Sequence, residues 1–145
     1  MAMMNLSFIM KLQPTDQAIE ITLQSQNIVT LAKSHESYEY FAKLLIGALE
    51  SKRPEHPVGL AISEENEILA VERADNDFVV RIIPEDEETF NVWLQGHDGI
   101  FKLDRNHPSF DRIYTTLDAS RVDSQRIWLI ADRELKILDV LLAEA

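Results

Sequence analysis

The sequence predicts an α+β protein built from two copies of one βββαββ unit, and three observations lead to this prediction. Short stretches alternate apolar and polar residues, which is typical of half-buried strands. Two longer stretches place apolar residues at helical spacing. These stretches recur in the same order in residues 7–72 and 77–141. An element order that recurs along a chain indicates an internal duplication.

Each copy begins with a strand that runs into a turn containing proline. FIMKLQPTDQ (8–17) aligns with FVVRIIPEDE (78–87), and both carry one basic residue among apolar ones before the proline. Apolar and polar positions alternate next in AIEITLQ (18–24) and in TFNVWLQ (89–95), which predicts a second strand. In the first strand, one apolar set is expected to alternate with Ile9 and Lys11; it consists of Phe8, Met10 and Leu12.

A third strand and a helix follow in each copy. The strand is NIVTLAK (27–33) in the first copy and GIFKLDR (99–105) in the second. The helices show apolar residues spaced three, four and seven apart, a stripe that must pack on a sheet. These residues are Tyr38, Phe41, Leu45, Ala48 and Leu49 in the first copy, and Phe110, Ile113 and Leu117 in the second.

A hairpin closes each copy. Its strands are expected at 57–63 and 67–73, and again at 126–132 and 135–141. The aligned residues keep their order throughout, and insertions between the copies fall in turns, where they are best tolerated. The alignment therefore covers nearly the whole chain.

We expect residues 1–145 to form a single domain with pseudo-two-fold symmetry between the repeats. With one helix for about five strands, each copy alone would leave much of its apolar sheet surface uncovered. This favours packing of the two copies together. Two alternatives stay open. The order βββαββ is also that of an OB-fold, which would give two small OB-like barrels. Counted from its third strand, the chain is similar in element order to the duplicated repeat of a sliding-clamp domain.

Composition restricts the classes of partner. The chain has 14 Lys and Arg against 25 Asp and Glu, a net charge of −11 at pH 7. Nucleic-acid binders normally carry a basic patch, because neutralised phosphates supply much of their affinity. Cysteine is absent, which fits a reducing compartment. No apolar run approaches the length of a membrane span. We therefore expect a cytoplasmic protein that binds neither nucleic acid nor membrane.

The two helix starts contain the same polar pattern, KSHES and RNHPS. Ser, Asn and an early Pro are typical of helix N-termini, because side-chain oxygens accept from unpaired backbone N–H groups there. His35 and His107 are therefore interpreted first as part of the helix start. The alternative interpretation is a ligand-binding pair, in which symmetry brings His35, His107, Lys33 and Arg105 together at the junction of the repeats.

Trp93 stands out on the second strand of the second copy. It shares the polar face of Asn91 and Gln95, and the first copy has Thr22 at its position. A tryptophan on a polar face is typical of protein interfaces. Trp93, Asn91 and Gln95 are therefore predicted to contact a protein partner or a second copy of the chain.

The remaining polar groups do not form a recognisable catalytic or metal-binding pattern. EDEE (85–88) lacks the alternating ligands and the glycine of a calcium loop. The His97-Asp98 pair precedes a tight turn, without a nucleophile motif to complete it. We expect no catalytic residues, no metal and no cofactor. The sequence favours a non-catalytic module for protein binding or self-association over the alternative, a small-molecule-binding protein or enzyme with a pocket at the repeat junction.

Overall fold

The computed structural model describes residues 3–50 and 56–143. Within them lie twelve strands, arranged in four small antiparallel sheets, and two helices, so the predicted α+β class is confirmed. The chain divides into two compact units, Met1–Ala74 and Asp75–Ala145. No helix in the described part of the chain is long and apolar enough to span a membrane. The arrangement of the units as one pseudo-symmetric domain stays a prediction.

The first unit contains six strands and one helix. They are β1 (Met4–Ser7), β2 (Ile9–Pro14), β3 (Ala18–Leu23), β4 (Ile28–Ala32), α1 (Tyr38–Glu50), β5 (Val58–Ile62) and β6 (Ile68–Arg73). One sheet has the order β1-β5-β6 and the other β2-β3-β4.

The second unit has the same elements in the same order. They are β7 (Asp75–Asp77), β8 (Val79–Pro84), β9 (Thr89–Leu94), β10 (Ile100–Asp104), α2 (Phe110–Asp123), β11 (Ile127–Ala131) and β12 (Ile137–Leu142). Its sheets have the orders β12-β11-β7 and β10-β9-β8, which match those of the first unit. Each unit is thus ββββαββ, with one short opening strand more than the sequence predicted.

The two sheets of each unit meet at two places. Only Phe8 separates β1 from β2, and only Phe78 separates β7 from β8, so one bent segment serves both sheets. On the other side, a single parallel bridge joins Thr30 to Glu67, and its counterpart joins Lys102 to Lys136. The strands of each unit therefore enclose one apolar core, which is covered by the helix.

The predicted alternation of buried and exposed residues in the first strand is wrong, because this strand contains a bulge. The register of β2 against β3 shifts between Ile9 and Lys11, and the register of β8 against β9 shifts between Val79 and Arg81. An extra residue in one strand interrupts the alternation, so that two residues three positions apart face the same side of the sheet. Ile9 therefore packs in the core and Met10, predicted on the apolar set, is 54% exposed.

The hairpin turn of the second unit contains a close contact. Leu135 has a φ of 64°, in the left-handed region that disfavours side chains with a Cβ. A Cβ added to Gly99 would lie 2.5 Å from Leu135 Cδ1. In the first unit, Asn66 occupies the same turn position with a φ of 61°, and asparagine tolerates this conformation better.

We expect Gly99→Ala to lower the free energy of unfolding by about 1 kcal/mol, because the new methyl displaces the rotatable Leu135 side chain. Replacing Leu135 by Asn removes the contacted methyl, so Gly99→Ala should cost less in that background. Urea unfolding of the two single variants and the double variant measures this coupling. An equal cost of Gly99→Ala in both backgrounds would contradict the steric explanation.

Candidate functional site

The two predicted histidines make the same pair of hydrogen bonds in their respective units. His35 Nδ1 accepts from the Ser37 backbone N–H at 3.0 Å, and His107 Nδ1 accepts from the Ser109 N–H at 2.9 Å. Because Nδ1 accepts, the ring proton is on Nε2 in the neutral imidazole. Nε2 then donates to a strand carbonyl, to Leu69 O at 3.2 Å and to Leu138 O at 2.8 Å.

Each histidine ring therefore connects a helix start to the last strand of its unit. Leu69 belongs to β6 and Leu138 to β12, and each is the extra residue at a shift in the pairing of its strand with β5 or β11. In this arrangement both ring nitrogens are bound to backbone groups. A histidine held this way does not offer a free nitrogen to a metal or to a reacting proton.

The other two residues of the predicted ligand site lie beside these histidines. Lys33 and His35 line a shallow cavity of about 620 Å³ in the first unit. Arg105 and His107 line one of about 500 Å³ in the second. Arg105 holds its guanidinium 4.5 Å from the centre of the Phe90 ring, so this cation is already engaged. A ligand site shared by both pairs stays a prediction.

The second unit adds an ion pair at the same strand. Arg112 Nη1 donates to Val140 O at 2.8 Å, and its Nη2 donates to the carboxylate of Asp139, which is 3% exposed. Arg112 is the third residue of α2 and Asp139 the third of β12. The corresponding positions of α1 and β6 hold Tyr40 and Ala70, so the two units fix this strand differently.

A different surface carries Trp93. On β9, Phe90, Val92 and Leu94 are buried, and the residues between them point outward. We call the outward side of β8, β9 and β10 the Trp93 face. It consists of Arg81, Ile83, Asn91, Trp93, Ile100 and Lys102.

One row of this face combines an aromatic ring, a cation and an apolar side chain. Trp93 is paired in register with Arg81 on one side and with Ile100 on the other. The Arg81 guanidinium carbon lies 5.2 Å from the centre of the Trp93 ring, and Ile100 is 40% exposed. The row is thus partly open to solvent, with a half-buried tryptophan at its centre.

The two residues predicted to accompany Trp93 differ in their placement. Asn91 lies in the next row of the Trp93 face, where its Oδ1 accepts from Lys102 Nζ at 2.6 Å. Gln95 is exposed but follows the end of β9, and its N–H donates to Phe78 O at 3.0 Å. Gln95 therefore belongs to the turn after β9. The sequence alternation does not extend to it because the strand pairing has ended.

The sequence did not indicate the partner of His97. The structure pairs this histidine with Asp77, whose carboxylate lies 2.5 Å from His97 Nδ1 and also accepts from the N–H groups of Phe78 and Gly96. Asp77 is 5% exposed, so it binds these donors away from water. The first copy has Ser7 at its aligned position, and this departure from the repeat was the one available signal.

The role of the Asp77 carboxylate is local. Its four hydrogen bonds connect the corner between β7 and β8 to the turn that follows β9. Among residues 3–50 and 56–143, no group of three or more His, Asp or Glu side chains is arranged to hold a metal ion. Comparison of the chain with models of protein families, with curated proteins and with solved structures finds no match.

We expect His107→Asn to lower the free energy of unfolding by about 1 kcal/mol, the typical contribution of one hydrogen bond. Asparagine can still accept from the Ser109 N–H as a helix-start residue does, but it is too short to reach Leu138 O. His107→Ala loses both bonds and should cost about twice as much. Urea denaturation of the two variants gives the comparison, and His107→Asn with unchanged stability would show that the Leu138 bond contributes nothing.

Replacing Arg112 by Met should lower the free energy of unfolding by about 2 kcal/mol, because it removes the charged partner of a buried carboxylate. The value is below that of a fully buried pair because the Arg112 side chain is 46% exposed. The double change Arg112→Tyr with Asp139→Ala installs the residues of the first unit and should recover most of the loss. Thermal unfolding of both variants tests this, and a double variant no more stable than Arg112→Met would contradict it.

Proposed function

We propose that the protein is a non-catalytic binding module that docks a protein partner on the Trp93 face. The observation that carries the proposal is the row Arg81, Trp93 and Ile100, which lies across the three strands of one sheet. In the first unit the same row is Lys11, Thr22 and Ile28, in matching register. The tryptophan is thus an addition to one of two otherwise similar faces.

We infer that the two units arose by duplication of one gene segment. Both the sequence alignment and the structure support this inference. Both units have the same strand pairing, a bulge at the same point of their second strand, and a histidine with the same two hydrogen-bond partners. If β1 and β2 are counted as one bent strand, and β7 and β8 likewise, each unit has the order βββαββ of an OB-like barrel.

The energetics of the Trp93 row support docking. A tryptophan side chain can bury on the order of 200 Å², and about a third of this at most is still available, because the Trp93 ring is already mostly covered. At about 25 cal/mol per Å², that remaining area would contribute at most about 1.7 kcal/mol, and the exposed Ile100 adds to it. Truncation of a residue that matters in an interface typically costs more than about 1 kcal/mol, so the row can contribute on that scale.

The charges on the face favour a particular kind of partner. Lys102 is bound to Glu85 at 3.0 Å and to Asn91, whereas Arg81 has no carboxylate partner among the described residues. A partner that places an apolar or aromatic side chain on Trp93 and a carboxylate on Arg81 would complement the row. A second copy of the chain fits less well, because each copy carries a net charge of −11.

The test compares Trp93→Thr with the parent protein. Threonine is the residue that the first unit uses at this position, so the change should preserve the strand. Proteins captured by the tagged parent from the source organism would be identified by mass spectrometry, purified and titrated calorimetrically. We expect Trp93→Thr to weaken binding at least about tenfold and Arg81→Gln to weaken it less.

Lys11→Gln is the matched control, since Lys11 occupies in the first unit the position that Arg81 occupies in the second. It should leave the affinity unchanged. Sedimentation of the parent and of Trp93→Thr at micromolar concentration shows whether the face instead mediates self-association. A partner set and an oligomeric state that are both unaffected by Trp93→Thr would show that the face is not an interface.

A further inference from the structure

A second cavity lies within the first unit, away from the Trp93 face and the helix starts. It has a volume of about 250 Å³ and is lined from α1, β5, the end of β6 and the residues before β5. The apolar part of the lining is Leu44, Ala48 and Val58, together with Gly47. The polar part is three basic side chains, those of Lys43, His56 and Arg73. Among the described residues, the lining contains no acidic side chain, although the chain carries 25 of them.

Gly47 explains why the cavity is open. A Cβ built on this residue meets no other atom within 4 Å, so the helix leaves space where a side chain would normally lie. Lys43 is one helical turn earlier on the same side of α1. It thereby places an ammonium group beside the space left by Gly47.

The cations are held by three separate elements. Arg73 is the last residue of β6, and His56 precedes β5, with its Nε2 3.3 Å from Ala74 O. Neither Lys43 nor Arg73 takes part in an ion pair among the described residues. Two unneutralised cations beside an apolar depression are uncommon in so acidic a chain, and they complement an anion with an apolar part.

This feature belongs to the first unit alone. At the positions of Lys43, Gly47 and Arg73, the second unit has Thr115, Ala119 and Leu142. Both side-chain cations are lost there, and the glycine is replaced by a residue with a Cβ. The second unit therefore provides an internal comparison in which the fold is retained without the basic cavity.

We propose that this cavity binds a small anion with a short apolar chain, either a carboxylate or a phosphate monoester. Arg73 and Lys43 bind the anionic group, and the surface of Leu44, Ala48 and Val58 takes the chain. A volume of about 250 Å³ limits the apolar part to a few carbon atoms. The site is independent of the proposed docking on the Trp93 face.

The experiment is a titration of the ¹⁵N-labelled full chain followed by amide NMR spectra. The probes are butyrate and butyl phosphate, with butylammonium as a probe of opposite charge and inorganic phosphate as an anion without a chain. We expect saturable shifts of the Gly47 and Val58 amides with butyrate or butyl phosphate, and none with butylammonium. Comparison of the two anions shows whether a carboxylate or a phosphate is preferred.

Variants of the lining residues test whether the anion binds in this cavity. Lys43→Gln and Arg73→Gln, both at exposed positions, should each weaken binding about three- to tenfold. Gly47→Leu should abolish binding by filling the space, and its amide spectrum shows whether the fold is kept. Arg121→Gln, on the exposed part of α2, is the control and should have no effect.

Three results of the titrations with the parent protein would overturn the proposal. These are the absence of saturable shifts with both anions, equal shifts with butylammonium, and equal affinity for inorganic phosphate and butyl phosphate. Affinities unchanged by both Lys43→Gln and Arg73→Gln would also overturn it, because the cations would then have no part in binding.

Discussion

The hydrogen bonds of His35 and His107 hold the helix start of each unit against its last strand, and they join residues that are 34 and 31 positions apart in the chain. In each unit the last strand meets the neighbouring sheet at a single parallel bridge, so most of its edge lacks a strand partner. An edge with unpaired carbonyls is a site for unwanted pairing with other chains. The imidazole ring supplies a donor to this edge and an acceptor to the helix start at once. It thereby fixes the helix over the opening between the two sheets.

The second unit reinforces this edge and the first does not. Arg112 supplies a further donor to the last strand of the second unit and neutralises the buried Asp139. The first unit keeps that region uncharged and instead leaves an open basic cavity farther along its helix. The two units therefore share a strand order but differ in surface chemistry. One carries a tryptophan row, and the other carries two cations, Lys43 and Arg73, without an ion pair among the described residues. Differences of this kind are expected because sites vary more readily than the fold that carries them.

Much of the fold could be predicted from the sequence because the strands alternate regularly and the helices carry an apolar stripe. The third strands and the hairpins lie within two residues of their predicted places, and each helix begins at the first residue of its predicted apolar stripe. The short strand β7 could not be predicted, since its sequence, Asp-Asn-Asp, disfavours strands and its pairing partner β11 lies about 50 residues away in the chain. The bulge at Met10 was missed for a similar reason, because register is set by the partner strand.

The sites were less predictable than the fold. The histidines lie just before the helices, as predicted, but the N-cap of α2 is Ser109, and its side chain makes no capping hydrogen bond. The carbonyl partners of the two histidines are 34 and 31 residues away, and no local pattern indicates such a contact. The basic cavity depends on Lys43, His56 and Arg73, which are scattered along the chain and meet only after folding. Trp93 was identified because it differs from its counterpart in the repeat.

The bent segment at the start of each unit also has a consequence for the order of folding. Met4 pairs with Ala61, so the sheet that contains β1 cannot form until most of the unit has been synthesised. The hairpin of β2 and β3 and the helix α1 need only near neighbours and can form earlier. Pairing between distant residues slows folding, because the loop must be closed before its contacts stabilise it. Closure of β1 onto β5 is therefore the expected late step, during which the edge of β5 is briefly open to other chains.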